Sequence, residues 1–233
     1  MTIGTVLTEV YEYYRRSWRE YALLSGTVFV PLGLLVAIAQ HARSSNDVTS
    51  RYVWGVVSTV AMIVGSSWLQ TAVILRCEEQ RNGRPLPGLR ELYRRTAPHL
   101  LSVLAVAVGA SAVFWALSLL GLLALPFLVF LLTRWIIVMP IVVLEQAPLR
   151  TILRRSNTVA RGKFFDLLML ALLSVVVLAM TFLAGGAITS PLSRFVQTWI
   201  ATAFVGAVAI PPVMLAATVA YYQLTRLRPP AFA

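Results

Sequence analysis

Long apolar runs alternate with short polar segments along the whole chain, and this alternation is the main signal in the sequence. A hydrocarbon core about 30 Å thick needs roughly 20 apolar residues per crossing helix. Six runs of suitable length predict spans over residues 21–40, 52–75, 98–120, 123–144, 164–188 and 195–224. The connections are short, with a tight turn near Gly121 between the third and fourth spans. The pattern therefore predicts an all-α polytopic fold in which residues 1–233 form a single membrane domain.

A second pattern, amphipathic helical spacing, precedes the first, third and fifth spans. Within residues 3–19, apolar side chains recur every three or four positions, and Glu9, Glu12 and several arginines lie opposite them. Residues 86–95 and 148–161 each carry a shorter apolar stripe followed by arginines. These segments predict three cytoplasmic amphipathic helices that lie in the membrane interface instead of crossing it.

The three amphipathic segments end on a common four-residue signature. It reads Tyr14-Arg15-Arg16-Ser17, Tyr93-Arg94-Arg95-Thr96 and Leu153-Arg154-Arg155-Ser156. One interpretation is a threefold repeat of an interfacial helix and two spans, and the other is a chance match among arginine-rich inner loops. In either case the six arginines are predicted at the depth of lipid phosphates. There each contributes about 1 kcal/mol of attraction to an anionic leaflet.

Composition and charge support a membrane protein and no nucleic-acid partner. Residues of the apolar set make up 58% of the chain and charged residues 12%, with a mean hydropathy of +0.78. A net charge of +11 could indicate phosphate binding. However, only Arg43, Arg51 and Arg194 lie on the predicted outer side, whereas nearly all other basic residues lie on the inner side. This positive-inside bias predicts a bacterial inner-membrane protein with both termini in the cytoplasm.

Residues that could carry catalysis or bind a metal are scarce. Cys77 is the single cysteine, and neither His41 nor His99 has a neighbouring ligand at metal-binding spacing. Phosphate-binding glycine loops and nucleophile elbows are also missing from the sequence. The sequence therefore predicts no metal site and no cofactor, and it favours a non-catalytic protein.

Arg134 is the least expected residue, because the fourth span places it near the middle of the membrane. A central arginine costs about 2.5 to 3.5 kcal/mol on insertion scales, so it is expected to face the bundle interior. One interpretation is a site for an anionic substrate in a transport path. The other is a structural arginine satisfied by carbonyls freed at Pro140 or by Gln70, Ser66 or Ser67.

Glu145 ends the fourth span, about 16 Å along a helix from Arg134 and too far for a direct ion pair. We expect a structural ion pair with a cytoplasmic arginine that joins the span to a neighbouring interfacial helix. General-base catalysis is the less favoured alternative, because no second carboxylate, serine or histidine converges with Glu145 in the sequence. Asp166 is interpreted as a helix-terminus charge.

Several short motifs occur together in this chain: Tyr13-Tyr14-Arg15-Arg16 ahead of Pro31, Arg134-Trp135 with Pro140 and Glu145, and Leu153-Arg154-Arg155-Ser156 with Gly162. In these motifs the chain resembles the membrane domain of some bacterial glycerophosphoryl diester phosphodiesterases and of free-standing relatives that lack the catalytic domain. The resemblance implies the membrane architecture. It does not imply enzyme activity, because in that family the activity belongs to a separate barrel domain with metal-binding acids and histidines.

Three functions stay open from the sequence. The favoured one is a non-catalytic membrane subunit or scaffold that engages anionic membrane lipids, a protein partner or a second copy at the cytoplasmic face. The second is a transporter or lipid-handling protein that uses Arg134 at an anionic substrate. The third is a membrane-embedded lipid-modifying enzyme with Glu145 or Asp166 as acid or base.

Overall fold

A computed structural model describes residues 2–43, 47–84, 87–146 and 149–227. Over these residues the chain is helical and has no strand. The helices are α1 (Ile3–Arg43), α2 (Val48–Arg81), α3 (Leu89–Ser118), α4 (Leu125–Trp135), α5 (Val138–Glu145), α6 (Leu149–Ala160), α7 (Phe164–Thr189), α8 (Arg194–Val208) and α9 (Ile210–Leu227). The predicted spans coincide with six segments that are long and apolar enough to cross a membrane. The all-α, multipass membrane fold is therefore confirmed.

The tight turn predicted near Gly121 joins α3 to α4. A short 3-10 turn covers Gly121–Ala124, and Gly121 has a φ of 56°. This left-handed conformation favours glycine, because a Cβ atom would crowd the backbone there.

Two of the predicted spans are broken, which the run of apolar residues did not indicate. The fourth span consists of α4 and α5, separated at residues 136–137, and Pro140 lies in the first turn of α5. The sixth consists of α8 and α9, separated at Ala209 just before Pro211 and Pro212. Proline has no backbone N–H and its ring clashes with the preceding turn, so the first turn of a helix tolerates it best. Pro31 and Pro98 nevertheless lie inside α1 and α3, where the helices continue.

The three segments predicted as amphipathic helices differ from one another in the structure. Residues 3–19 belong to α1, which is sharply kinked at Ser17 (φ −135°, ψ 26°) and then continues into the span. Residues 89–95 form no separate helix, since they are the first turns of α3. The third segment forms a separate helix, α6. Residues 86 and 148 lie outside the described residues, and the threefold repeat stays a prediction.

α1 lies at the centre of the bundle, between α2 on one side and α8 and α9 on the other. Small residues allow this close packing, as is common between membrane helices. A Cβ atom at Gly33 would lie 2.8 Å from the Trp199 carbonyl oxygen, and one at Gly206 would overlap the Phe29 ring. The core around α1 includes the buried side chains Tyr21, Leu24, Phe29, Leu69, Val73, Leu215 and Val219.

Candidate functional site

Three helices meet at Glu145, the last residue of α5. Arg155 Nε of α6 donates to Glu145 Oε1 at 3.3 Å, and the Tyr221 hydroxyl of α9 donates to the same oxygen at 2.8 Å. The Glu145 and Arg155 side chains are only 19% and 13% exposed. Two donors from different helices share this one oxygen in a mostly buried position, which suits a structural ion pair that joins the three helices.

A second charged pair, Glu20 with Arg76, joins α1 to α2 and was missed from the sequence. The apolar run predicted a second span that ends at residue 75, whereas α2 continues to Arg81 and Arg76 is only 2% exposed. The Arg76 guanidinium lies 5.6 Å from the centre of the Tyr21 ring, and the Tyr21 hydroxyl donates to Gln80 at 3.3 Å. The spacing of Arg76 and Gln80, four residues apart on one helix face, was the signal that could have indicated this contact.

Arg134 lies in the last turn of α4 and contacts α6 instead of the α2 residues expected from the sequence. Its guanidinium donates to the Asn157 carbonyl at 3.2 Å and lies 5.2 Å from the centre of the Phe130 ring. Its own carbonyl, at the break between α4 and α5, accepts a bond from the Ser156 hydroxyl at 2.9 Å. Ser66, one of the expected partners, bonds instead to carbonyls of its own helix. These contacts favour the structural interpretation of Arg134.

The structure divides the signature arginines into two groups. In the first, Arg95 pairs with Glu79 and Glu91, Arg94 pairs with Glu91, and Arg155 pairs with Glu145. The second group consists of Arg15, Arg16 and Arg154. These three are exposed and form no ion pair with any residue that the structure describes. The sequence did not distinguish the two groups.

All three signatures share one burial pattern despite their different local structures. The hydroxyl residue is buried in each of them, as Ser17, Thr96 or Ser156. The arginine two positions earlier is exposed in each. The signature is therefore compatible with one repeated arrangement in which the hydroxyl faces the protein and the arginine faces outwards.

Three cavities of about 500, 530 and 520 Å³ lie along α1, α2 and α3. Their linings come from these helices and include neither Arg134 nor the residues that contact it. Among the described residues, no group of three or more His, Cys, Asp or Glu side chains could hold a metal ion.

Comparison of the chain with protein-family models, curated proteins and solved structures gives no match. The resemblance to the membrane domain of the phosphodiesterases stays a prediction. The fold itself defines the class of protein: a multipass α-helical membrane protein.

Proposed function

We propose that this chain is a non-catalytic protein of the bacterial cytoplasmic membrane that engages anionic lipids at its cytoplasmic face. The observation that carries the proposal is the exposed group Arg15, Arg16 and Arg154, whose charges are not neutralised by described carboxylates. Guanidinium groups at phosphate depth attract an anionic leaflet and form bidentate hydrogen bonds with phosphate oxygens. Arg94, Arg95 and Arg155 stabilise the fold instead, because carboxylates of the protein already neutralise their charges.

The orientation, with both termini in the cytoplasm, is supported by the distribution of basic residues. α1 begins and α9 ends at the end of the bundle that also carries Arg94, Arg95 and the α6 arginines. A fluorescent protein fused to the C-terminus is expected to fold in the cytoplasm, and an alkaline phosphatase fusion at the same position is expected to be inactive. The opposite result would reverse the orientation.

A protein partner or a second copy is also part of the proposal, and the exposure of α3 supports it. Leu101, Trp115 and Leu119 are 81%, 73% and 84% exposed within the single chain. Lipid can cover such a helix, and so can another membrane protein.

The lipid proposal can be tested with the protein in nanodiscs of mixed phosphatidylglycerol and phosphatidylcholine, by native mass spectrometry of the lipids that stay bound. The test variant carries Arg15→Gln and Arg154→Gln. With about 1 kcal/mol for each arginine, its retention of phosphatidylglycerol is expected to fall by about 30-fold.

The matched control removes the same charge from the other end of the bundle with Arg51→Gln and Arg194→Gln. Its retention of phosphatidylglycerol is expected to match the wild type. An equal loss in both variants would mean that net charge alone attracts the lipid. No preference of the wild type for phosphatidylglycerol would also contradict the proposal.

A further inference from the structure

A groove of about 500 Å³ runs between α1 and α2 and is closed at one end by Tyr93 of α3. Its lining is apolar, with Pro31 on the α1 side and Ala61 on the α2 side. The buried Leu32 side chain packs directly against Gly65 between them. The volume falls within the range of about 300 to 1,000 Å³ that is typical of small-molecule sites. The groove lies between two helices that are long enough to cross the membrane, so it opens to lipid.

The groove follows the direction of the spanning helices. From Trp68 to Ala61 it extends along two turns of α2, which is about 10 Å at 1.5 Å per residue. An apolar groove of this shape, parallel to the membrane normal, matches an extended acyl chain better than a compact solute.

The polar atoms of the groove gather at its Tyr93 end. The Thr27 and Tyr93 hydroxyl oxygens are 2.6 Å apart, and the Tyr93 hydroxyl donates to the Leu24 carbonyl at 3.0 Å. The Trp68 ring meets the Tyr93 ring edge to face, with 6.2 Å between centres. Trp68 Nε1 is buried and has no acceptor in the part of the chain that the structure describes. A buried N–H without an acceptor is unfavourable, most of all in hydrocarbon.

A basic residue lies one helical turn before Tyr93, the residue at this polar end. Arg90 precedes Tyr93 by three residues, so both lie on one face of α3. The Arg90 side chain is exposed and forms no ion pair with a described residue, whereas the neighbouring Arg94 is paired with Glu91. A phosphate held level with Tyr93 would therefore meet a guanidinium that is available for a charge-assisted hydrogen bond.

We propose that this groove binds one anionic phospholipid. An acyl chain lies along Pro31 and Ala61, an ester carbonyl accepts a hydrogen bond from Trp68 Nε1 once the ring turns to expose it, and the phosphate lies beside Arg90. This proposal rests on the proposed function, because it assigns a defined binding position to one of the anionic lipids that the protein is proposed to engage. It also gives the second signature, Tyr93-Arg94-Arg95-Thr96, a part in lipid binding through its tyrosine.

The position of the chain can be tested with phosphatidylglycerol that carries a diazirine in its acyl chain, added to the protein in phosphatidylcholine nanodiscs. After irradiation, the labelled peptides are identified by mass spectrometry. Labelling is expected to concentrate in residues 27–32 and 61–68. Ala61→Phe fills the groove and is expected to remove this labelling, whereas Ala105→Phe adds the same bulk on an exposed part of α3 and is expected to leave it unchanged.

The hydrogen bond is tested separately by Trp68→Phe, which keeps an aromatic ring and removes the donor. Retention of phosphatidylglycerol in native mass spectrometry is expected to fall by about three- to tenfold, the size of one hydrogen bond. The control Trp115→Phe, at a largely exposed position on α3, is expected to retain the lipid as the wild type does. If Ala61→Phe does not fold, Trp68→Phe together with the wild-type labelling map decides the question.

Uniform labelling along the lipid-facing helices, or labelling that survives Ala61→Phe, would overturn the assignment of the groove. Normal lipid retention by Trp68→Phe would overturn it as well. If the wild type retains phosphatidylglycerol but one of these contrary results is found, the proposed function stands and only the assignment of the groove as a lipid site fails. If the wild type shows no preference for phosphatidylglycerol, both proposals fail.

Discussion

α1 and α3 are both long, apolar helices that begin at the same end of the bundle, yet they are packed very differently. In the most apolar part of α1, 39% of the residues are buried inside the protein, against 6% in α3. Glycines show the same contrast. Gly33 of α1 lies against the backbone of α8, whereas a Cβ atom added at Gly109 of α3 would meet open space.

This difference in burial between α1 and α3 shows that apolar content alone does not predict burial in a membrane protein. Lipid chains are as apolar as leucine side chains, so an exposed span carries no penalty of the kind that it would carry in water. Polar side chains and small residues, which permit hydrogen bonds and close approach between helices, decide the packing instead. Three matched pairs of substitutions test this explanation.

The largest effect is expected for Glu145→Ala, because the mostly buried Arg155 would then lose its ion pair with Glu145. The free energy of unfolding is expected to fall by about 3 kcal/mol, the lower end for a broken buried ion pair. It can be measured by titration with sodium dodecyl sulfate in mixed micelles. The control, Glu91→Ala in the first turn of α3, breaks more exposed ion pairs with Arg94 and Arg95 and is expected to lower the unfolding midpoint much less. Equal effects in both variants would show that burial of the pair is unimportant.

The second largest effect on stability is expected for Gly206→Ala, because the added methyl group overlaps the Phe29 ring and forces α8 away from α1. Overpacking of this kind costs about 1 to 3 kcal/mol. The same substitution at Gly109 is expected to raise stability by about 0.5 to 1 kcal/mol, since alanine favours a helix more than glycine does. Thermal unfolding in detergent, followed by size-exclusion chromatography, should give midpoints that move in opposite directions. A loss of stability in Gly109→Ala would reveal a helix partner that covers α3.

The smallest effect is expected for Ser156→Ala, which removes the hydrogen bond to the Arg134 carbonyl at the break between α4 and α5. One such bond contributes about 1 kcal/mol. Ser102→Ala, at an exposed position on α3, serves as the control and is expected to leave the unfolding free energy unchanged. If Ser156→Ala is also neutral, the broken helix does not depend on α6 for its stability.

The fold was predictable from the sequence to a greater extent than the candidate site. The six spans follow from apolar runs, and the turn at Gly121 follows from a glycine between two of them. The kink at Ser17 did not follow, because no local composition marks its position. The break at residues 136–137 was marked only approximately, by Pro140 just after it. For Arg134, the sequence indicated an unusual residue but not its contact with Asn157, which lies on another helix.

The sequence by itself determined that this chain is an all-α, multipass membrane protein, because span length depends only on local apolar content and the thickness of the bilayer. The tertiary structure decided which of the six signature arginines form ion pairs with described residues and which do not. It also brought Trp68 and Tyr93 together at one end of a groove, and it joined Glu20 to Arg76. Such contacts depend on how each helix is rotated and where it is broken. Those properties arise from packing between distant segments and cannot be read from any one segment alone.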